Sequence, residues 1–385
     1  MIGSGPAGSA AALRLARLGH HVVMIDRLEH PRDKVCGEGL MPHGVAALAE
    51  LGIDPPLQAQ RFRGIRWSAG GVTAIGVFPN GSTGLGLDRR AFDQVMCSAA
   101  EAHARVTLRA PLTARGLEVT DDGVAVQTDE GPISARVLVA ADGLHSQVRL
   151  WVRLEREARG RKRYGVRQHL RLAEGRAIEE WVDVELVAGA ELYLTPVGPQ
   201  EVNVAALCER DAAKELKGEG GSSGALARWI ASSMMVERFE GAQAIDEVRV
   251  TGPLRQVPSG VVADRVVLVG DAAGFLDGIT GEGMSTSLAS AALAAEVVSG
   301  ALKAGSRCDA AALAPYAEAH AALVRDGRRL TEIILFGIGR RWIAERAVRN
   351  LARRPELFDR LLAIETGGAP LSSLGWWGLF GLVGP

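Results

Sequence analysis

The sequence predicts an α/β protein with α+β elements: a Rossmann-like domain on a parallel sheet, interleaved with an antiparallel-sheet domain and followed by a C-terminal helical region. Three observations carry that prediction. Gly3-Ser4-Gly5-Pro6-Ala7-Gly8 opens an Ala- and Leu-rich helical stretch that stops at Gly19, and an apolar run follows, ending at Asp26. Two later apolar runs also lead into an acid beside a glycine: 137–141 into Asp142-Gly143, and 266–269 into Gly270-Asp271. Between them, residues 163–209 hold four strand-like runs broken by Gly and Pro.

In chain order, the opening is a strand-turn-helix-strand unit whose first strand is reduced to Met1 and Ile2, where a buried parallel strand has about five residues. Either the start is misassigned or the strand is frayed, and the residues concerned would lie at the sheet centre. Residues 117–127 alternate around Asp121-Asp122-Gly123 and read as a hairpin. The runs 166–172, 178–186, 190–195 and 201–208 form an antiparallel sheet, joined by 64–77. Residues 285–300 form an Ala-rich helix, and 313–364 form further helices interrupted at Gly327, Gly337, Gly339 and Pro355. The expected division is 1–62, 79–160 and 258–300 for the dinucleotide-type domain, 63–78 and 161–257 for the antiparallel domain, and 301–385 for the helical region.

Composition narrows the function. The chain has 385 residues, with 44 Lys and Arg against 45 Asp and Glu. That balance supplies no global field for nucleic acid, and no nucleic-acid partner is expected. Cys36, Cys97, Cys208 and Cys308 form no C-x-x-C pair and the histidines show no ligand spacing, so a reduced, cytoplasmic, metal-free protein is expected. The N-terminus lacks a charged, then apolar, leader, and no stretch approaches the ~20 apolar residues of a membrane span.

The forty-seven glycines carry the chemistry. In G-x-G-x-x-G, Gly3 permits a tight turn, Gly5 lets a pyrophosphate approach the helix N-terminus, and Gly8 lets helix and strand pack closely. Asp26 would accept from ribose hydroxyls. Gly281 and Gly283 can bring backbone N–H groups against a flat ring, with the positive end of the helix near Met284 behind them.

Together, Gly3–Gly8, Asp142-Gly143 and Gly270-Asp271 resemble the FAD-dependent p-hydroxybenzoate hydroxylase and geranylgeranyl reductase superfamily, in that family's order and over nearly the whole chain. The resemblance implies that the first domain binds FAD. Gly3, Gly5, Pro6, Ala7 and Gly8 would form the pyrophosphate turn, and Asp26 with Arg27 the adenosine-ribose site. Arg89, in Arg89-Arg90-Ala91-Phe92-Asp93, matches the family's R-x-x-[LF]-D and would help bind FAD, with Leu112 near the adenine. Asp142 and Gly143 match a motif linked to FAD and nicotinamide cofactors, and Gly270 and Asp271 would meet the ribityl or pyrophosphate portion. The stretch 270–284 resembles the geranylgeranyl reductase form, so Gly281, Glu282, Gly283 and Met284 would approach the flavin.

Lys34-Val35-Cys36-Gly37-Glu38 resembles the reductases' K-x-C-G-G segment, and Gly37 to Pro42 resembles the G-E-x-L-x-P of flavin halogenases. Cys36 and Gly37 would lie along the isoalloxazine. Cys36 is either a flavin-facing thiol or a buried inert cysteine, and Glu282 either a helix-capping acid or a proton donor. These two are the catalytic candidates, because the flavin carries the chemistry. His43 and His145 read as acid–base groups or as loop residues. The hydroxylases' histidine and proline are replaced by Gly274 and Gly278, the reductases' Y-x-W-x-F-P by Tyr193-Leu194-Thr195-Pro196-Val197-Gly198, and the halogenases' W-x-W-x-I-P is absent. Tyr193 and Pro196 would line the substrate pocket.

From residue 325 to 360 there are five more arginines than acids, interleaved with Ile333, Ile334, Leu335, Phe336, Ile338 and Trp342. That segment reads either as a solvated helical face or as a peripheral membrane contact through 325–360. The expected function is an NAD(P)H-dependent FAD oxidoreductase, with NAD(P)H docking transiently because the chain has a single G-x-G-x-x-G. The expected chemistry is a flavin monooxygenase on a small apolar, isoprenoid or polyketide-like substrate. Saturation of isoprenoid double bonds and a non-catalytic flavin-binding scaffold are the alternatives.

Overall fold

A computed structural model describes residues 1–157, 160–209, 220–375, 378, 381 and 382. Nine helices stand among them: α1 (Pro6–Arg17), α2 (Pro42–Glu50), α3 (Arg89–Glu101), α4 (Gln147–Trp151), α5 (Gly221–Ala231), α6 (Gly283–Lys303), α7 (Ala310–Ile338), α8 (Arg341–Arg353) and α9 (Pro355–Glu365). Their starts follow from local chemistry. The Asp88 carboxylate accepts from the N–H groups of Arg90 and Ala91 at the head of α3, Ser146 accepts from Arg149 on α4, and Asp309 accepts from Ala312 on α7. Helices α1 and α6 are rich in Ala, Ser and Gly, so their backbones approach closely and bury almost every residue of α1.

The parallel sheet is assembled around one residue. Ile2 bridges in parallel to Ile25 on one side and to Ala140 on the other. Its flanks are the strand pair Val22–Ile25 with Val106–Arg109, and the pair Leu138–Ala140 with Val266–Leu268. The Gly3 N–H donates to Ile25 at 2.8 Å and the Ala141 N–H donates to Ile2 at 2.7 Å. Each apolar run therefore delivers its following glycine loop to the same sheet end.

The second sheet runs, in spatial order, Gln243–Ala244, Arg163–Arg171, Glu201–Glu209, Ala190–Pro196, Val182–Val187, Gly64–Ala69 and Val72–Val77. It is antiparallel except where Val182–Val187 pairs in parallel with Gly64–Ala69. The hairpin expected at 117–127 is present as Ala114–Val119 and Val124–Thr128, with a third strand at Ile133–Ala135. α8 and α9 cover the 64–77 end of the large sheet, and their apolar faces, with that sheet, form a second core around Phe358, Leu362 and Val348.

Three sequence expectations change. The strand expected at 178–186 begins only at Val182. Gly327 and Gly337 do not interrupt a helix: α7 is continuous from Ala310 to Ile338, and the break falls at Gly339. Gly327 sits where a Cβ would lie 2.5 Å from a Glu282 carboxylate oxygen, so it serves close packing rather than chain reversal. Helix α6 is long and apolar enough to cross a membrane, yet it packs against α1 and α7 as a core helix.

The strand Gly84–Gly86, which forms a small sheet with Gly39–Leu40 and Gln60–Phe62, touches the large sheet where a Cβ on Gly86 would land on the carbonyl oxygen of Pro196. Gly86→Ala is expected to cost roughly 1–3 kcal/mol, because neither backbone can yield cheaply. Gly116→Ala, whose Cβ meets nothing within 4 Å, is the matched control. Equal denaturant midpoints for the two variants would disprove this packing constraint.

Candidate functional site

A cavity of about 850 Å³ runs from the N-terminus of α1 to the face of the large sheet. Its polar end is built by the opening turn. Gly3 has φ +98°, and a Cβ there would strike the Ala141 carbonyl; a Cβ on Gly8 would strike the carbonyl of Gly3 itself. Helix α1 is thus pressed onto its own turn. Gly5 is the helix cap and provides no side-chain acceptor, and Pro6 has no N–H. The first N–H groups of α1 are left directed at the cavity, where Gly3, Gly5, Pro6 and Ala7 line the wall.

Asp26, at the end of Val22–Ile25, is buried. Its Oδ2 accepts from the Ser4 N–H at 2.8 Å and the Ser4 hydroxyl at 2.9 Å, and its Oδ1 from Leu28 at 3.1 Å. The carboxylate therefore fixes the turn as well as facing the cavity beside Arg27 and Leu112. Asp142 faces the cavity too, but its oxygens accept from the Ser146 hydroxyl and the N–H groups of Gln147 and Val148, shaping the approach to α4. Burial raises its pKa despite those donors. Gly143 also lines the wall. Gly270 lies behind it, where a Cβ would be 2.9 Å from the Ala7 Cβ, and Asp271 faces inward and pairs with Lys34 at 2.7 Å.

The loop 33–39 forms the middle wall. Cys36 and Gly37 line the cavity, and the Cys36 sulfur accepts from the Glu38 N–H at 3.3 Å with the Arg89 guanidinium beside it. Arg89 is buried and held by Asp93 at 2.7 Å, which keeps it charged against the cost of burial. Glu38 occupies the second glycine position of the K-x-C-G-G pattern and adopts φ +60°, a left-handed conformation that a glutamate enters at a cost. Its side chain holds it there. One oxygen accepts from the Arg89 N–H at 2.8 Å, and the other lies 2.6 Å from His169 Nε2. His169 Nδ1 reaches Asp246 at 2.8 Å, and Arg167 ties Asp246 to Asp33 at the start of the loop. The Asn203 amide donates to the Cys36 carbonyl at 2.8 Å, so the sheet anchors the loop along its length.

Opposite, Gly281, Gly283 and Met284 bring the N-terminus of α6 to the cavity. Glu282 does not join them: its carboxyl turns toward Gly327 on α7, and burial raises its pKa to about 8. Of the two catalytic candidates, then, Cys36 faces the cavity and Glu282 points away from it. Tyr193 lines the far, apolar end with Val184, Leu207, Leu254, Phe275 and Ile279, and its buried hydroxyl has no hydrogen-bond partner. Pro196 is not on the wall, since its carbonyl is spent on the contact with Gly86. His145 lines the cavity, whereas half-buried His43 does not, and desolvation lowers His43 to about 4. Arg32, Lys34 and Thr195 are cavity residues that sequence reasoning passed over. The signal for the first two was the basic pair in Pro31-Arg32-Asp33-Lys34, directly after the Asp26 strand end.

A narrow glycine cradle with free helix N–H groups, a long middle wall and a second helix N-terminus fit an elongated dinucleotide bearing a flat ring system. The comparisons agree. The FAD binding domain family model matches residues 1–322. The chain is 31% identical over 327 residues to a menaquinone reductase of Mycolicibacterium smegmatis, covering 77% of this chain and 75% of that protein. It is 30% identical over 323 residues to digeranylgeranylglycerophospholipid reductase 2 of Methanosphaera stadtmanae, covering 79% and 78%. Among solved structures, a flavoprotein/dehydrogenase from Cytophaga hutchinsonii superposes with a TM-score of 0.79 at 18% identity, covering 95% of this chain and 92% of that one. The flavin-dependent brominase Bmp2 superposes at 0.80 and 18%, covering 98% and 95%.

Two tests follow from the geometry. Gly5→Val is expected to abolish copurifying flavin, because a branched side chain fills the approach to the α1 N-terminus and presses on Arg32; flavin absorbance at wild-type occupancy would refute the assignment. The second concerns the loop anchor. Burial opposes charge on His169, but the hydrogen bond and charge of Glu38 outweigh it, so the imidazole keeps its proton above its ordinary range. Burial also raises Glu38. Both shifts have one sign: the Glu38 contribution is complete below about pH 4.5 and is lost as pH rises through its raised value, while the His169 contribution is complete below about pH 6.5 and is lost as pH rises through the elevated histidine value. Thermal melting of wild type should fall on the alkaline side relative to His169→Gln, and parallel curves for the two would show that the anchor carries no titrating charge.

Proposed function

The chain belongs to the FAD binding domain family, and from that membership we propose that it is a FAD-dependent reductase that saturates carbon–carbon double bonds in the isoprenoid chain of an apolar lipid. That it is a FAD-dependent oxidoreductase follows from the family match and the reductase relatives. The narrower reading rests on one observation: the cavity that begins at the α1 N-terminus ends in a wall of Val184, Leu207, Leu254, Phe275 and Ile279, with Tyr193 among them. Menaquinone and digeranylgeranylglycerophospholipid, the compounds in the relatives' names, share an unsaturated isoprenoid chain, and that chain suits such a wall. The sequence alone favoured a monooxygenase; these two relatives favour reduction.

Bound FAD supplies the capacity to take up a hydride and to pass it on. The protein's residues do the remainder. The α6 N-terminus, through Gly281 and Gly283, presents positive potential to negative charge on a reduced ring. Arg89 and Lys34 add two cations on the opposite wall, paired with Asp93 and Asp271. The apolar wall excludes water and orients a hydrocarbon chain by shape. Reduction of an isolated double bond also requires a proton at the second carbon, and the Tyr193 hydroxyl, buried and without a partner, is the group we assign to deliver it. Burial raises its pKa, which keeps the proton on the oxygen at neutral pH. NAD(P)H is the proposed transient reductant.

Anaerobic incubation of the flavin-loaded protein with NADPH and a short prenyl acceptor should yield saturated product, checked by mass spectrometry. Product that appears only with oxygen, and carries it, would replace this reading with the monooxygenase; protein that NAD(P)H never bleaches would replace it with a non-catalytic scaffold. Tyr193→Phe is expected to lower product formation by roughly 10²-fold while leaving flavin reduction by NAD(P)H unchanged in stopped flow. Unchanged product formation would remove Tyr193 from proton delivery.

A further inference from the structure

The corner between α7 and α8 exposes two large aromatic side chains side by side with arginines. Phe336 is 63% exposed and Trp342 is 65% exposed, and the Arg340 guanidinium stacks 4.3 Å from the Phe336 ring centroid. Arg325 and Arg329 lie on the exposed face of α7, and Arg341 follows at the first position of α8. Glu345 pairs with Arg341 within α8. Three further acids are engaged away from this face: Glu332 pairs with Arg255, the Asp326 carboxylate accepts from the Leu371 N–H, and that of Asp359 from the Val77 N–H.

Two features of this corner run against what water favours. Aromatic area of this kind gains by leaving water. Arg340 also stands at the positive end of the α8 dipole, with no acid in its first turn, so the helix start and this cation repel one another, while Arg341 is paired with Glu345. A surface that presents apolar depth beneath a layer of anions relieves both at once. On the inner side of the same helix segment, Leu330, Ile334, Leu335 and Ile338 share one apolar cluster with Leu254, Phe275 and Ile279 of the cavity wall.

We propose that the α7–α8 corner docks on an anionic lipid bilayer, with Phe336 and Trp342 inserted at the headgroup boundary and Arg329 and Arg340 on lipid phosphates. The site that binds membrane is thereby one helix thickness from the apolar end of the cavity. For its purpose this rests on the lipid-substrate reading, but the two can fail separately.

The test uses flavin-loaded full-length protein and vesicles of phosphatidylcholine with or without phosphatidylglycerol. Wild type should float with the anionic vesicles at low salt and be released from them by high salt, and brominated lipid should quench a tryptophan signal that Trp342→Phe lacks. Phe336→Ser with Trp342→Ser should lower vesicle binding at least tenfold. Arg329→Gln with Arg340→Gln should lower it by about fivefold per charge on anionic vesicles alone. Melting temperature and flavin content serve as folding controls, since all four side chains are at the surface. Equal binding by all variants, or no binding by wild type, overturns the proposal. So does a concentration-dependent dimer by light scattering that the same substitutions dissolve, which would make a second copy the occupant. Turnover of a detergent-solubilised prenyl substrate is measured on the same samples: turnover without vesicle binding removes the docking surface and spares the reaction, and vesicle binding without turnover does the reverse.

Discussion

The hydrogen bond between Glu38 and His169 is where the two sheets of the molecule take hold of each other, and the shape of the cavity depends on it. The glycine turn, the Asp26 strand end and the second glycine loop all belong to the parallel sheet. The loop 33–39 is different. It leaves the parallel sheet and crosses to the large sheet, where Asp33, Cys36 and Glu38 are each gripped by a residue of that sheet: Arg167, Asn203 and His169. The loop becomes a wall only because both ends are held.

The arrangement is expensive by ordinary accounting. Glu38 and His169 are almost wholly buried, and a pair of that kind seldom repays its dehydration better than well-packed apolar side chains would. What the pair provides is position. A glutamate in the left-handed region strains the backbone, and the strain persists because three side chains and one backbone N–H over-determine it. The consequence is borne by Cys36, whose sulfur is fixed by the Glu38 N–H, next to Arg89. Geometry at the cavity wall is thus set from a strand on the far side of the loop.

The opening turn, the strand ends at Asp26, Asp142 and Asp271 and most of the large sheet were legible in the sequence, because each is a local pattern: glycine spacing, period-two alternation, an acid at the end of an apolar run. The anchor was not. His169 lies on the strand Arg163–Arg171 and Asp246 in the bend after Gln243–Ala244, and they reach a loop 131 residues from the first of them, so no window of sequence brings them together. Glu282 was misjudged for a related reason, since the motif fixed its backbone beside the cavity while α7, supplying Gly327, drew its side chain away. Gly327 misled in the same manner: it reads as a helix breaker unless the carboxyl packed against it is known. The Pro196 contact with Gly86 was equally hidden, being an approach of backbone to backbone that leaves no mark in residue type beyond the glycine.

The long reach of the anchor also dictates an order of events as the chain folds. Closing a loop of more than a hundred residues costs entropy that nearby contacts do not, so the pairing of Glu38 with His169 must wait until the strand Arg163–Arg171 is made and placed, and Asp246 must follow it. The opening turn waits as well, since Ile2 pairs with Ala140, Gly270 packs on Ala7 and α1 packs on α6. During synthesis neither the nucleotide cradle nor the ring wall is therefore finished before the chain has passed Asp271, which closes the cradle by its pair with Lys34. Phosphate capture and ring enclosure are thus late events of one stage, and the flavin meets a site whose two ends close together.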